Sequence, residues 1–190
     1  MRKSGLAGLV AAGLTVAALA CAPAAAQAPA PAPAPAPAAA ATAPALPAGA
    51  MPVYGVALAD GWSNWSWAKT TLSIDLSGSA RHPIKAEAGP YQAVYLHHDG
   101  FSTAPYRRLG FLIHGGPTGG QQIAVMATIA GKPIPDKVKS IKLTANGWTK
   151  VEVPLSTIGA DNQTIDGIWF QNASAAPAPP FYVTEIYLAP

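Results

Sequence analysis

The sequence predicts an all-β protein, an antiparallel β-sandwich, over residues 50–190. Three observations carry this expectation. Apolar and polar residues alternate with period two through most apolar stretches of that region, as half-buried strands require. Turn-forming clusters interrupt these stretches every ten to fifteen residues, the punctuation of a sandwich built from short strands. After residue 49, no stretch keeps apolar residues three and four apart for long enough to form an amphipathic helix.

The N-terminus reads differently. Arg2 and Lys3 precede an apolar run from Gly5 to Ala20, which small residues follow. A basic start, an apolar middle too short to cross a bilayer and small residues for cleavage describe a secretory signal, assigned to residues 1–21. The only cysteine, Cys21, stands where the run ends. Ala17-Ala18-Leu19-Ala20-Cys21 resembles the lipobox of bacterial lipoproteins, with Ala18 where that group usually has Leu. The resemblance implies lipidation at Cys21. Ordinary cleavage after Ala24-Ala25-Ala26, leaving Gln27 first, is the alternative, and both stay open. Either way the folded region has no cysteine, so no disulfide can staple it.

Residues 22–49 are almost only Ala and Pro, including the alternating run Ala28–Pro37. Such a segment has little to bury and reads as an extended, semi-rigid spacer that holds a domain away from its anchor. Formal charge is +3, but Arg2 and Lys3 fall in the signal. The rest of the chain has ten basic against nine acidic residues, a net of +1. Nucleic-acid binding needs a basic stripe, which Arg107-Arg108 and the scattered lysines do not make.

Individual strands can be read in turn. Thr71–Leu76 alternates strictly, as does Lys150–Leu155. Ile123, Val125, Ala127 and Ile129 alternate with Gln122, Ala124, Met126 and Thr128. Val138–Leu143 forms a further strand with less regular sides. Turns fall at Ser77-Gly78-Ser79, between Gly115 and Gly120, at Asn146-Gly147 and over Gly159–Asn162. In all, eight to ten short strands are expected. The last, Phe181–Leu188, places Tyr182, Thr184 and Ile186 on one side and Phe181, Val183, Glu185 and Tyr187 on the other. It is expected to pair near the domain's first strand.

Three of the five tryptophans lie in Gly61-Trp62-Ser63-Asn64-Trp65-Ser66-Trp67. Rigid aromatic planes among small polar groups suit a ligand that is flat on one side and hydroxylated at its rim, as a sugar is. Trp62 also reads as a plug for the end of the sandwich, Trp148 as structural, and Trp169 equally as core or platform.

Several motifs recur in a known order. They are Trp62 with Trp65-Ser66-Trp67, then Phe111–Gly116 with Gly119-Gly120-Gln121, then Gly147–Val151 with Val153-Pro154-Leu155. Gly167–Asn172 and the closing Phe181-Tyr182-Val183 complete the series. Over nearly all of residues 54–188 this resembles the jelly-roll, galactose-binding-like carbohydrate-binding modules of bacterial glycoside hydrolases. The resemblance implies a jelly-roll sandwich that binds glycan without cutting it. Many relatives end Tyr-Val-Asp-Asp-Ile where this chain has Tyr182-Val183-Thr184-Glu185-Ile186. An acid there can help hold a structural calcium in the wider group, so the change argues against that ion, and no cofactor is expected.

Strand parity nominates a face. With Val94, Leu96, Ile168, Phe170, Phe111 and Ile113 directed to the core, Tyr95, His97, Trp169, Gln171 and His114 point the other way, and Gln122 lies opposite Ile123. With Trp65 and Trp67 these are the candidate ligand-binding residues, provided their strands share a sheet. His97 and His98 are adjacent, so they face opposite sides and cannot simply chelate a metal. The nine carboxylates do not recur in pairs on this face, as glycoside hydrolysis would need. No cysteine nucleophile or Gly-x-Ser-x-Gly elbow is present in the domain.

The expected protein is a non-catalytic polysaccharide binder, for a β-glucan or similar glycan, secreted or held in the bacterial envelope. It is expected to be a monomer that meets a membrane only through an N-terminal lipid. The alternative is a structural or adhesion domain of the envelope without sugar binding. Exposure separates the two, because a platform needs at least two of Trp65, Trp67 and Trp169 at the surface.

Overall fold

The structure, a computed structural model, describes residues 45–76 and 79–190; the signal, Cys21 and most of the Ala/Pro segment lie outside the described residues. Twelve strands are found among them. They are β1 (Met51–Tyr54), β2 (Trp62–Asn64), β3 (Lys69–Thr71), β4 (Ile84–Glu87), β5 (Ala93–Ser102) and β6 (Arg108–His114). The second half holds β7 (Gln122–Ile129), β8 (Lys132–Pro133), β9 (Lys139–Lys142), β10 (Trp148–Pro154), β11 (Thr164–Asn172) and β12 (Phe181–Ala189). One turn of 3₁₀ helix, Leu155–Ile158, follows β10 and ends at Gly159, whose φ of 71° reverses the chain.

Two antiparallel six-stranded sheets pack as a sandwich. The first runs β10-β6-β12-β4-β3, with β1 beside β12. The second runs β2-β5-β11-β7-β8, with β9 beside β7. Alternation in the sequence becomes the two walls of one core. Leu109, Phe111, Ile113, Phe181 and Val183 of the first sheet and Val94, Leu96, Val125, Ile168 and Phe170 of the second are all buried. Phe111 and Phe170 meet edge to face in that core, with centroids 5.0 Å apart. Burial of this apolar layer drives folding without any disulfide. The first and last strands pair as expected, Met51 with Leu188 and Pro52 with Tyr187.

Two strand assignments are corrected. The alternating stretch Thr71–Leu76 is not a strand beyond Thr71. Ser73 takes a positive φ of 54°, which breaks an extended run, and its N–H donates to the Tyr54 hydroxyl at 2.9 Å instead of to a neighbouring strand. In β12 the predicted parity holds only to Thr184. Glu185 takes φ 51° and the register shifts between Thr184 and Tyr187, so Ile186 and Leu188 join Phe181 and Val183 in the core. The reason is topological. The edge of β12 opposite β6 pairs with β4 over residues 181–183 and with β1 over residues 186–188. A bulge at the handover takes up the extra residue.

Candidate functional site

The outward side of the second sheet gathers aromatic and amide side chains in register. Across one row, Tyr95 of β5 lies opposite Trp169 of β11, which lies opposite Met126 of β7. The next row carries Ala93, Gln171, Ala124 and, on β9, Ser140. Gln122 and Lys142 pair at the following position. On the other side of Tyr95, the row holds Ser63, His97, Gly167 and Thr128.

The segment after β2 supplies the exposed rings. Trp65 N–H donates to the Tyr95 carbonyl at 2.9 Å and Ala68 N–H to the Ala93 carbonyl at 3.1 Å, so the chain keeps following β5 without forming a regular strand. Asn64 fixes this path. Its carboxamide oxygen accepts from the Ser66 N–H and hydroxyl, and Ser66 Oγ accepts the Tyr95 N–H at 3.0 Å. Trp65 and Trp67 are thereby both set against the β5 rings.

Trp65 stacks flat on His97, with centroids 3.6 Å apart and planes within 3° of parallel. Trp67 meets Trp169 edge to face at 4.7 Å. Tyr95 forms the floor, touching Trp65, Trp67, His97 and Trp169 edge-on at 5.6 to 6.5 Å. Tyr95 is only 5% exposed, whereas Trp65 and Trp67 are 57% and 40% exposed. Trp169 is half-buried, and its indole N–H is buried with no acceptor among the described residues.

Gly167 makes room for the floor, because a Cβ there would come within 2.4 Å of the Tyr95 ring. At the row's end the Thr128 hydroxyl donates to Asp166 at 2.5 Å, and Asp166 also accepts the Gly131 N–H at 2.6 Å. Burial pushes the Tyr95 phenol above its ordinary value, which keeps it protonated beside this group.

Seven of the eight nominated residues lie on this face: Trp65, Trp67, Tyr95, His97, Gln122, Trp169 and Gln171. His114 does not. Its strand, β6, belongs to the first sheet, where His114 packs against Trp148 and Tyr182. Parity identified its outward direction, but parity cannot say which sheet a strand joins. Trp62 is buried against His98 and Phe101 at the end of the sandwich.

The sequence reading missed Tyr91. It lies in a turn with φ 54° and 55% exposure, and its carbonyl accepts from both Trp67 Nε1 at 3.2 Å and Gln171 Nε2 at 2.8 Å. The Pro90-Tyr91 turn ahead of β5 was its only signal. Ser140, Lys142 and Met126 also join the face through the β9 and β7 pairings, which single-strand patterns do not reveal.

Glycan cleavage by paired carboxylates finds no pair here. Glu87, Glu152 and Glu185 bond to cations on the other sheet, and Asp166 alone among the acids bonds to a residue of the aromatic face. The calcium that the resemblance raised does not fit the residues present. Glu185 already receives Arg81 Nε at 2.7 Å, and the Thr184 hydroxyl donates to the Gly55 carbonyl. Among the described residues no three His, Cys, Asp or Glu side chains converge as a metal site would need. A cavity of about 310 Å³ between β1, the loop at Ala80–His82 and β12 lies away from the aromatic face.

No protein-family profile and no curated protein sequence matches the chain. Solved structures do. A mutant of the family 29 carbohydrate-binding module CBM29-2, complexed with cellulohexaose, superposes with a TM-score of 0.55 at 18% identity, over 73% of this chain and 89% of that one. Another family 29 module matches with the same score at 14% identity, over 73% and 86%. The family 11 module of a cellulosomal cellulase of Clostridium thermocellum gives 0.55 and 18%, over 74% and 94%. At these identities the likeness shows a shared fold, the jelly-roll β-sandwich of carbohydrate-binding modules.

Proposed function

We propose that the aromatic face of the second sheet binds a neutral polysaccharide without cleaving it, a β-glucan or a glycan of similar shape. The carrying observation is that Trp65 and Trp67 stand exposed on a rigid, bonded base while Tyr95 and Trp169 close the floor between them. An open aromatic surface, as distinct from a closed pocket, suits a chain that continues beyond the site at both ends. Pyranose C–H faces stack on the exposed rings, and the amides of Gln122 and Gln171, with Ser140, address equatorial hydroxyls. Solved neighbours that share this fold include a module complexed with cellulohexaose, which supports the same ligand class.

The protein is read as secreted or envelope-anchored through the N-terminal signal, with lipidation at Cys21 or cleavage before Gln27 as the two routes. Residues 45–47 run beside Leu112, Lys150 and Tyr187 of the first sheet, not beside the aromatic face of the second. A purely structural envelope domain has no use for indoles exposed on a fixed base.

A glycan array probed with the full chain tests the proposal. Binding to one or more neutral, extended polysaccharides is expected. A folded chain that binds none of them would sink the reading.

A further inference from the structure

Ten basic residues follow Lys3, and they divide sharply. Six of them, Lys69, Arg81, Lys85, Arg107, Arg108 and Lys150, lie 2.6 to 3.7 Å from a carboxylate oxygen. The other four, Lys132, Lys137, Lys139 and Lys142, form no ion pair among the described residues, and all four are exposed. They fall on one edge of the second sheet. β7 pairs with β11 on one side, and on the other with β8 over Thr128–Ile129 and with β9 over Gln122–Val125. Lysines spaced unevenly in the sequence thus line a single border of the sandwich.

Three of the four share a side. Lys132 is in register with Ile129 and Lys139 with Val125, positions of the same parity on β7. The Lys137 stem packs against Gly159, where a Cβ would come within 2.8 Å of its Cγ, leaving the ammonium in solvent. The only acid within residues 132–142 is Asp136, so the segment carries a net +3. The nearby carboxylates are engaged elsewhere, Asp166 by the Thr128 hydroxyl and the Gly131 N–H and Asp161 by Arg107. Two apolar side chains stand out among the lysines, Val138 at 43% and Ile129 at 40% exposure. Lysine on an edge strand also blocks the addition of further strands. The edges of the first sheet do so with neutralised lysines, Lys69 of β3 bonded to Glu87 and Lys150 of β10 to Glu152. Blocking an edge therefore does not require bare charge.

We propose that the β8–β9 edge docks the domain on an anionic bilayer surface. The ammonium groups meet phosphate-bearing headgroups, and Val138 and Ile129 enter the boundary beneath them. Spread cations with apolar side chains between them suit a laterally adaptable interface. A nucleic acid would call for rings or arginines beside the lysines, and residues 132–142 hold neither. β2 and β8 end the strand order of this sheet on opposite sides, so a domain docked by the lysines keeps Trp65 and Trp67 open to glycan. The inference goes beyond the glycan reading and does not depend on it.

Co-sedimentation of the full chain with vesicles of phosphatidylcholine alone, or of phosphatidylcholine with a third phosphatidylglycerol, tests this. Wild type and variants share residues 1–49, so differences among them report on the lysine edge. Tighter binding to the anionic vesicles is expected, weakening with added salt. Each of Lys132→Gln, Lys137→Gln and Lys139→Gln should lower it about fivefold, and the triple variant should lose the preference for anionic lipid. These side chains are exposed and unpaired, so the triple variant should fold as wild type does and keep its retention on neutral polysaccharide. Val138→Ser should weaken vesicle binding about threefold at unchanged charge. Equal binding to both vesicles, or a folded triple variant that keeps the preference, would overturn the proposal. Full vesicle binding by Val138→Ser would give the lysines to soluble acidic polymers and would overturn it as well.

Discussion

Trp65 lies flat on His97, ring to ring at 3.6 Å, so one face of the indole is backed by the protein and the other is open. A backed ring loses little freedom when a sugar lands on it, which is how preorganisation raises affinity. His97→Ala removes the backing and leaves Trp65 in place. Aromatic pairs contribute about 0.5–1.5 kcal/mol beyond burial, so glycan affinity should fall roughly two- to tenfold, read by isothermal titration, with little change in melting. Unchanged affinity would show that the stack does not prepare the platform.

Gly167 and Tyr95 make a second such pair. An alanine Cβ at residue 167 would meet the Tyr95 ring at 2.4 Å and the Leu96 carbonyl at 2.7 Å. The ring and the backbone cannot both yield without moving the floor of the face. Gly167→Ala should cost about 1–3 kcal/mol in urea denaturation and weaken glycan binding as well. Full stability with normal binding would mean that the ring relocates freely.

Tyr54 tests the fold apart from the ligand. Its buried hydroxyl donates to the His82 carbonyl and accepts the Ser73 N–H, both at 2.9 Å, tying the backbone at Ser73 and at His82 to β1. Tyr54→Phe leaves both backbone groups without this partner. A loss of about 1–3 kcal/mol in stability is expected, with glycan affinity unchanged. A change in affinity at constant stability would contradict the separation of the two roles.

Glu87 supplies the pH test. Hydrogen bonds from Lys69 and then Lys85 hold its carboxylate down to about 2, well below the ordinary 4.5. A depressed folded-state value means that folding favours the ionised form. The contribution is present above about pH 4.5 and is lost as pH falls from there toward 2. Carboxyl NMR titration should find the Glu87 midpoint below those of the unpaired acids, and Lys69→Gln with Lys85→Gln should return it to the ordinary range. A normal midpoint in the wild type would show that these pairs do not persist in solution.

Parity made the second sheet legible from sequence. Val94 and Leu96 had to be core, which turned Tyr95 and His97 outward, and the same reasoning at Ile168 and Phe170 turned Trp169 and Gln171 outward. Sheet membership was not legible, and His114 shows why. Outward positions on two sheets look alike until pairing partners are known, and those are set by contacts remote in sequence. Backbone irregularity was equally hidden. The positive φ values at Ser73 and Glu185 interrupt runs whose side chains alternate well, Tyr91 takes one in the turn before β5, and none of the three is a glycine. Each is held by tertiary bonding, through Tyr54 at Ser73, through Ser174, Trp67 and Gln171 at Tyr91, and through strand handover and Arg81 at Glu185.

The most direct test of the glycan-binding face is retention of a Trp65→Ala/Trp67→Ala double variant on an insoluble neutral polysaccharide that retains the wild type. Both rings are exposed, so the variant should melt within a few degrees of the wild type, a margin set by about 1 kcal/mol. The account predicts that this folded variant passes into the unbound fraction. Wild-type retention by the folded variant would contradict it.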